Sequence, residues 1–148
     1  MSSLQEGQMA PDFTAKDDQN QSVSLKDFRG KKNIVLYFYP KDDTPGCTIE
    51  ACNFRDDYSK FQTQDTQILG VSFDDAQSHQ AFKNKFKLPF PLIIDSDKKI
   101  AAAYGVQGDK YPQRDTILIN KDGKILKIFR KVDPAGHSGE ILNILGEK

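Results

Sequence analysis

The chain has 148 residues, which is enough for one well-buried domain and short for two. Hydrophobic residues make up 37% of it and charged residues 28%, proportions that are typical of a soluble globular protein. The 21 basic and 21 acidic side chains cancel, so no overall charge attracts the chain to nucleic acid or to a membrane surface. We therefore predict a single domain over residues 1–148, with neither nucleic acid nor membrane among its partners.

The sequence also predicts a cytoplasmic location. No stretch approaches the roughly 18 apolar residues that are needed to cross a bilayer. Residues 1–8 are polar and lack the apolar run of a signal peptide. In a reducing compartment, the two cysteines of this chain are more often catalytic than structural.

Strand and helix patterns alternate along the chain. A short hairpin at 13–15 and 23–25 comes first, and its polar turn precedes a fully apolar strand at 34–39. The pattern then predicts a helix from residue 45 through 61 and strands at 66–73, 92–95, 116–119 and 125–129. Further helices are predicted at 78–86, 98–104 and 138–145, with Ser138 as the cap of the last one. Such alternation, followed by a hairpin and a helix, favours a three-layer α/β fold.

The first of the two cysteines, Cys47, follows the apolar strand at 34–39. Pro40 ends that strand because it has no N–H to donate. Thr44 suits a helix N-cap and Pro45 the first helical position, so Cys47 falls in the first helical turn. Unpaired backbone N–H groups and the positive end of the helix dipole favour an anion there. We therefore predict that Cys47 is a nucleophile, with the Thr44 hydroxyl close enough to bind its sulfur or a substrate oxygen.

The spacing of Pro40, Thr44 and Cys47, written Pro-x-x-x-Thr-x-x-Cys, resembles the active-site motif of the peroxiredoxins. A second cysteine five residues on, Cys52, resembles the bacterioferritin comigratory protein (peroxiredoxin Q) subfamily. Weaker likenesses cover nearly the whole chain, at residues 10–13, 23–28, 88–92 and 114–119. The resemblance implies an α/β, thioredoxin-like fold, with a central mixed sheet flanked by helices and an N-terminal hairpin. It also implies a thiol peroxidase that reduces hydrogen peroxide and organic hydroperoxides.

The resemblance further implies a role for each site residue. The peroxide would oxidise Cys47 to a sulfenic acid, and Cys52 would condense with it to form an intramolecular disulfide. Thioredoxin or a similar dithiol reductant would then restore both thiols. Arg114 would act beside Cys47 as a fixed cation and hold the peroxide oxygens together with Thr44, whereas Pro40 would shield the sulfur from water. This chemistry requires no metal, haem or flavin, and the resemblance favours a monomer.

Several of these residues also have a plainer interpretation. Cys47 or Cys52 could be an inert core residue, since free cysteine is among the most buried residue types. Without the resemblance, Arg114 is interpreted as a surface arginine at the start of a strand. Even as the cation beside Cys47, its replacement is predicted to cost little stability. Glu50 could stabilise the first helical turn, or it could join the hydrogen-bond network around Cys47.

Other function classes remain open at this stage. A zinc site could combine the cysteines with His79 and His137, but these histidines lie far apart in polar surroundings and the ligand spacing is poor. A non-enzymatic redox sensor would use the same disulfide to signal, and it would be oxidised once without turnover. A binding or chaperone-like domain would carry inert cysteines without a fast thiolate reaction at neutral pH.

Overall fold

The computed structural model describes residues 4–108 and 110–146, in which strands and helices alternate as the sequence predicts. A single 3-10 turn at Leu25–Phe28 follows the second strand. The strands are β1 (Thr14–Lys16), β2 (Ser22–Ser24), β3 (Asn33–Phe38), β4 (Thr66–Ser72), β5 (Leu92–Ile94), β6 (Thr116–Ile119) and β7 (Ile125–Phe129). The helices are α1 (Pro45–Asp56), α2 (Tyr58–Thr63), α3 (Ala76–Phe86), α4 (Lys99–Ala103) and α5 (His137–Gly146).

Five strands form the central sheet, in the order β5-β4-β3-β6-β7. Strands β3, β4 and β5 run parallel, whereas β6 is antiparallel to both β3 and β7. The hairpin of β1 and β2 forms a separate two-stranded sheet. The predicted α/β fold, with a mixed sheet and an N-terminal hairpin, is therefore confirmed.

Strand β3 lies at the centre of the sheet, and all six of its residues are buried. Its side chains alternate between two hydrophobic clusters because successive residues of a strand point to opposite faces. Val35 and Tyr37 pack in one cluster with Phe54 of α1, whereas Leu36 packs in the other with Ile100 of α4. Helices thus cover both faces, which explains why β3 is apolar at every position from Ile34 to Phe38.

Some predicted boundaries are wrong by a few residues. Helix α3 begins at Ala76 because Asp75 is its N-cap and accepts a hydrogen bond from the Ser78 backbone nitrogen at 2.9 Å. The helix after Cys47 stops at Asp56, and α2 is a separate helix. Ser138 is not a cap, because α5 already begins at the preceding residue and the Ser138 hydroxyl donates to Asp57 Oδ2 at 2.7 Å.

Within residues 4–108 and 110–146, the structure has no helix with the length and apolar character that a membrane span requires.

Candidate active site

Cys47 lies at the start of helix α1, which follows the central strand β3 in the chain. The chain turns through residues 39–44, and Thr44 occupies the N-cap of α1 in an extended conformation. The first helical hydrogen bond runs from the Thr48 nitrogen to the Thr44 carbonyl at 2.8 Å. Cys47 is the third residue of the helix and only 1% exposed. The predicted position of Cys47 in the first turn is therefore confirmed, and its sulfur is enclosed by protein.

Two other motif residues lie in the turn before the helix. Pro40 is half-buried directly after the strand, where it ends the apolar run. The Thr44 hydroxyl donates a hydrogen bond to the Lys41 carbonyl at 2.8 Å and accepts no capping hydrogen bond from the helix backbone. Because a hydroxyl oxygen retains acceptor lone pairs when it donates, Thr44 can still accept a hydrogen bond from a peroxide O–H.

The sheet topology brings Arg114 to the same place. Strand β6 pairs antiparallel with β3, so that Thr116 lies opposite Tyr37 and the Phe38 nitrogen donates to the Asp115 carbonyl at 2.8 Å. The beginning of β6 therefore meets the end of β3, where α1 starts. Arg114 lies just before β6, and its carbonyl accepts a hydrogen bond from the Val132 nitrogen at 2.9 Å, which fixes its backbone.

The Arg114 guanidinium binds a buried carboxylate and interacts electrostatically with Cys47. Its Nη1 donates to Glu50 Oε1 at 3.0 Å, and its side chain is 19% exposed. Burial lowers the pKa of Arg114, but the nearby Cys47 and Glu50 charges and their hydrogen bonds raise it, and the net change is upward. A Cβ atom added at Gly46 would lie 2.9 Å from Arg114 Nη2, so the glycine leaves room for the guanidinium beside the first turn. Arg114 is therefore a fixed cation at the Cys47 sulfur.

Glu50 is part of this network and not a first-turn acid. It is the sixth residue of α1, its side chain is 1% exposed, and its Oε2 has no hydrogen-bond partner in the described part of the chain. Burial raises its pKa to about 7, although Arg114 acts in the opposite direction. Of the two interpretations of Glu50, the structure supports the network around Cys47.

Glu50 should make the stability of the protein depend on pH. Its pKa rises from 4.5 to about 7 in the folded state, so between these values the folded protein retains a proton that the unfolded chain releases. The Glu50 contribution to the free energy of unfolding should therefore fall by on the order of 3 kcal/mol as pH rises through this window. We expect Glu50→Gln to remove that contribution when urea unfolding is compared at about pH 5 and about pH 8. Identical pH dependence in the two proteins would contradict the prediction.

Cys52 lies on the same helix as Cys47, is half-buried, and like Cys47 carries a free thiol. The helix is fixed to the rest of the protein directly after it. The Asn53 side-chain nitrogen donates to the carbonyls of Pro134 and Ala135 at 3.2 and 2.9 Å. Farther on, Arg55 Nη1 donates to the Phe86 carbonyl at 2.8 Å. The segment between the cysteines thus precedes a well-anchored stretch of α1.

Both histidines are buried, which the polar sequence around them did not indicate. His79 Nδ1 lies 2.7 Å from Asp42 Oδ2 and its Nε2 lies 2.9 Å from the Ile93 carbonyl oxygen. His137 packs edge-on against Phe129. The positions of His79 and Phe82 on one face of α3 are the sequence signal that could have shown the burial of His79. Asp42 and the Ile93 carbonyl each contact one ring nitrogen of His79, so neither nitrogen is directed at the cysteines.

Comparison with known proteins agrees with this geometry. The AhpC/TSA family matches residues 6–128. Peroxiredoxin Bcp of Bacillus subtilis is 46% identical over 94% of this chain and 93% of its own length. Among solved structures, a mutant of PrxQ from Xylella fastidiosa gives a TM-score of 0.93 at 31% identity and covers 99% of this chain and 98% of its own. Peroxidoxin BcpB from Mycobacterium tuberculosis gives 0.91 at 29% identity, with 97% of both chains covered.

The fold, the buried cysteine in the first turn of α1 and the match to peroxiredoxins over nearly the whole chain together identify a thiol-dependent peroxidase. The chain belongs to the AhpC/TSA family, and it is similar to Bcp and peroxiredoxin Q proteins over most of its length. The family that the sequence motif indicated is therefore confirmed.

Proposed function

We propose that the protein reduces hydrogen peroxide and organic hydroperoxides through Cys47, forms a Cys47–Cys52 disulfide, and is recycled by thioredoxin or a similar dithiol. The observation that supports this most is the Arg114 guanidinium, which interacts with the sulfur of a cysteine in the first turn of α1. Helix N–H groups and a cation that remains protonated both favour the thiolate, which is the form that attacks a peroxide.

In the first step, the Cys47 thiolate attacks the terminal peroxide oxygen and the O–O bond breaks. Cys47 becomes a sulfenic acid, and the leaving oxygen takes up a proton and departs as water or alcohol. Thr44, the N-cap of the same helix, and Arg114 would hold the two peroxide oxygens where negative charge moves in the transition state. Pro40 would limit the access of water. Peroxide is thus reduced by two electrons, and Cys47 is oxidised by two.

In the second step, the Cys52 thiol attacks the Cys47 sulfenic sulfur, an S–S bond forms and water leaves. In the third step, a dithiol reductant attacks the disulfide, becomes a disulfide itself and releases both thiols. The complete cycle consumes one peroxide and one dithiol. We further propose that the chain acts as a single domain in the cytoplasm, and as a monomer, which the family resemblance favours.

A coupled assay tests this function directly. Purified protein, thioredoxin, thioredoxin reductase and NADPH should oxidise NADPH over many turnovers when hydrogen peroxide or an organic hydroperoxide is added. The alternative, a redox sensor without turnover, would consume only one equivalent of peroxide and stop. A chain with inert cysteines would consume none. Wild-type turnover with several hydroperoxides therefore decides among the three.

Formation of the disulfide should unwind α1 between the two cysteines. In a regular helix, residues five apart have Cα atoms roughly 8.7 Å from each other. A disulfide tolerates about 4.4–6.8 Å, so the bond cannot form while Cys47 and Cys52 remain on an intact helix. We expect a loss of helical circular dichroism on oxidation, with faster amide exchange around Thr48 to Asn53. Exchange beyond Asn53 should change less, because its side chain is bonded to Pro134 and Ala135.

Cys52→Ser is the matched control for this switch, since it can be oxidised at Cys47 but cannot form the disulfide. In Cys52→Ser, the amides of α1 should therefore exchange as slowly after one equivalent of peroxide as they do in the reduced protein. An oxidised wild-type protein that contains the disulfide and still shows reduced-state protection between the cysteines would contradict the prediction.

A further inference from the structure

A buried polar cluster lies beside the turn that leads from β3 to Cys47. His79 of α3 is fully buried, and Asp42 of the turn is 6% exposed. Asp74, which follows β4, completes the charged part of the cluster. The hydroxyl groups that bond to these side chains belong to Tyr39, Ser72 and Ser78.

Asp42 is held through both its side chain and its backbone. Its Oδ1 accepts a hydrogen bond from the Tyr39 hydroxyl at 2.6 Å, and its Oδ2 accepts from Ser78 Oγ at 2.8 Å and lies 2.7 Å from His79 Nδ1. The Asp42 nitrogen donates to Asp74 Oδ2 at 2.8 Å. Ligand atoms of Asp42, Asp74 and His79 lie within 4.8 Å of one another, but protein hydrogen bonds already account for their arrangement.

The contacts of His79 match a ring in which both nitrogens carry protons. Nε2 faces the Ile93 carbonyl at 2.9 Å, and a carbonyl can only accept a hydrogen bond. Nδ1 faces the Asp42 carboxylate, which also accepts only when it is ionised. A carboxylate that accepts from Tyr39, Ser78 and Nδ1 together pairs with an imidazolium at residue 79. Burial lowers the pKa of His79, but the bonds and charge of Asp42, the Ile93 carbonyl and the charge of Asp74 raise it, and the net change is upward.

The hydrogen bonds of Asp42 reach the peroxide site through a single peptide group. One peptide group joins Lys41 to Asp42. Its N–H, from Asp42, donates a hydrogen bond to Asp74, and its carbonyl oxygen, from Lys41, accepts one from the Thr44 hydroxyl. Asp74 therefore holds one end of this unit, and Thr44 is bonded to the other. Through Asp42, the imidazolium of His79 holds the same segment from the side of α3.

We propose that His79 is a positioning residue for peroxide reduction: its imidazolium fixes Asp42, and Asp42 fixes the turn that presents Pro40 and Thr44 to Cys47. The inference rests on the proposed function of Cys47. Without the imidazolium, the buried Asp42 carboxylate loses its counter-charge, which destabilises this arrangement of the turn. Thr44 would then no longer be fixed relative to the sulfur, and small displacements of a group that orients substrate have large effects on rate.

His79→Gln tests the proposal, with Lys83→Met as the matched control. Lys83 lies on the same helix and also pairs with a buried aspartate, since its Nζ is 3.1 Å from Asp18 Oδ2, but Asp18 lies outside the turn before Cys47. We expect the rate constant for oxidation of Cys47 by hydrogen peroxide to fall by about tenfold or more in His79→Gln and to stay at the wild-type value in Lys83→Met. Both variants lose an ion pair of α3. Comparing their oxidation rates therefore separates an effect of positioning on the rate from a general loss of stability.

Two further measurements keep the test decisive if His79→Gln does not fold. Nitrogen-15 NMR of the wild-type protein should show both His79 ring nitrogens protonated at neutral pH. Asp42→Asn should slow Cys47 oxidation, and in a folded double variant the two effects should not add, because both changes break one network. A neutral His79 ring, or a wild-type oxidation rate in His79→Gln or Asp42→Asn, would overturn the proposal. A wild-type protein without peroxidase activity would instead overturn the proposed function itself.

Discussion

Cys47→Ser should abolish peroxide reduction, whereas Cys52→Ser should keep the first oxidation and lose turnover with thioredoxin. The reason is the difference in position on α1: only Cys47 lies in the first turn, where helix N–H groups and Arg114 stabilise a thiolate. A serine hydroxyl at residue 47 remains protonated and cannot attack the peroxide. Stopped-flow oxidation of each variant and mass spectrometry of the trapped sulfenic acid are the measurements.

The fate of Cys52→Ser adds a second readout. Without a resolving thiol, its Cys47 sulfenic acid should proceed to sulfinic and sulfonic acid under excess peroxide, which adds oxygen mass that dithiols cannot remove. Rapid one-equivalent oxidation of Cys47→Ser would reverse the assignment of the two cysteines. Sustained turnover of Cys52→Ser with thioredoxin would remove Cys52 from the mechanism.

Arg114→Gln should slow the attack on peroxide by about 10²–10³-fold, as expected when a donor to developing charge is removed. Peroxide rate constants of Arg114→Gln and of the wild-type protein are the measurement. An unchanged rate would return Arg114 to the role of a surface residue.

The stability of Arg114→Gln should depend on pH, which differs from what sequence alone predicts. A surface arginine would cost little, but Arg114 is the partner of the buried Glu50 carboxylate at 3.0 Å. The pKa of Glu50 is about 7 even with Arg114 present, so in the variant Glu50 should remain protonated to higher pH. The loss of stability should therefore be small at about pH 6 and larger at about pH 8.

Arg130→Gln is the matched control for this experiment. Arg130 Nη1 lies 2.8 Å from the buried carboxylate of Asp115, the residue that follows Arg114. Arg130→Gln therefore also leaves a buried carboxylate without its cationic partner. Arg130→Gln should therefore lose stability without the slower reaction with peroxide that we expect for Arg114→Gln.

Local patterns in the sequence were sufficient to predict most of the elements and the position of Cys47. The apolar residues of β3 are buried because helices cover both faces of the strand, and an uninterrupted apolar run is the signature of that environment. Thr44 and Pro45 mark the start of α1 because each suits one position of a helix N-terminus. These signals depend on a few neighbouring residues, so they can be recognised without knowing the fold.

Contacts between distant segments could not be predicted in the same way. The proximity of Arg114 to Glu50 follows from the antiparallel pairing of β6 with β3, which no local pattern specifies. The burial of Glu50 depends on which face of α1 meets the sheet. His79 was missed because its sequence neighbours are polar, although its partners are Asp42 and the Ile93 carbonyl on other elements.

The enclosure of the Cys47 sulfur has a consequence for which molecules can react with it. With the residue 1% exposed, almost none of its surface is open to a reagent. We therefore expect bulky electrophiles such as aromatic disulfides and maleimides to react slowly with the sulfur unless α1 opens, as it must for the disulfide to form. Labelling of Cys47 by a bulky reagent measures how often the helix opens, and not how strong a nucleophile the sulfur is.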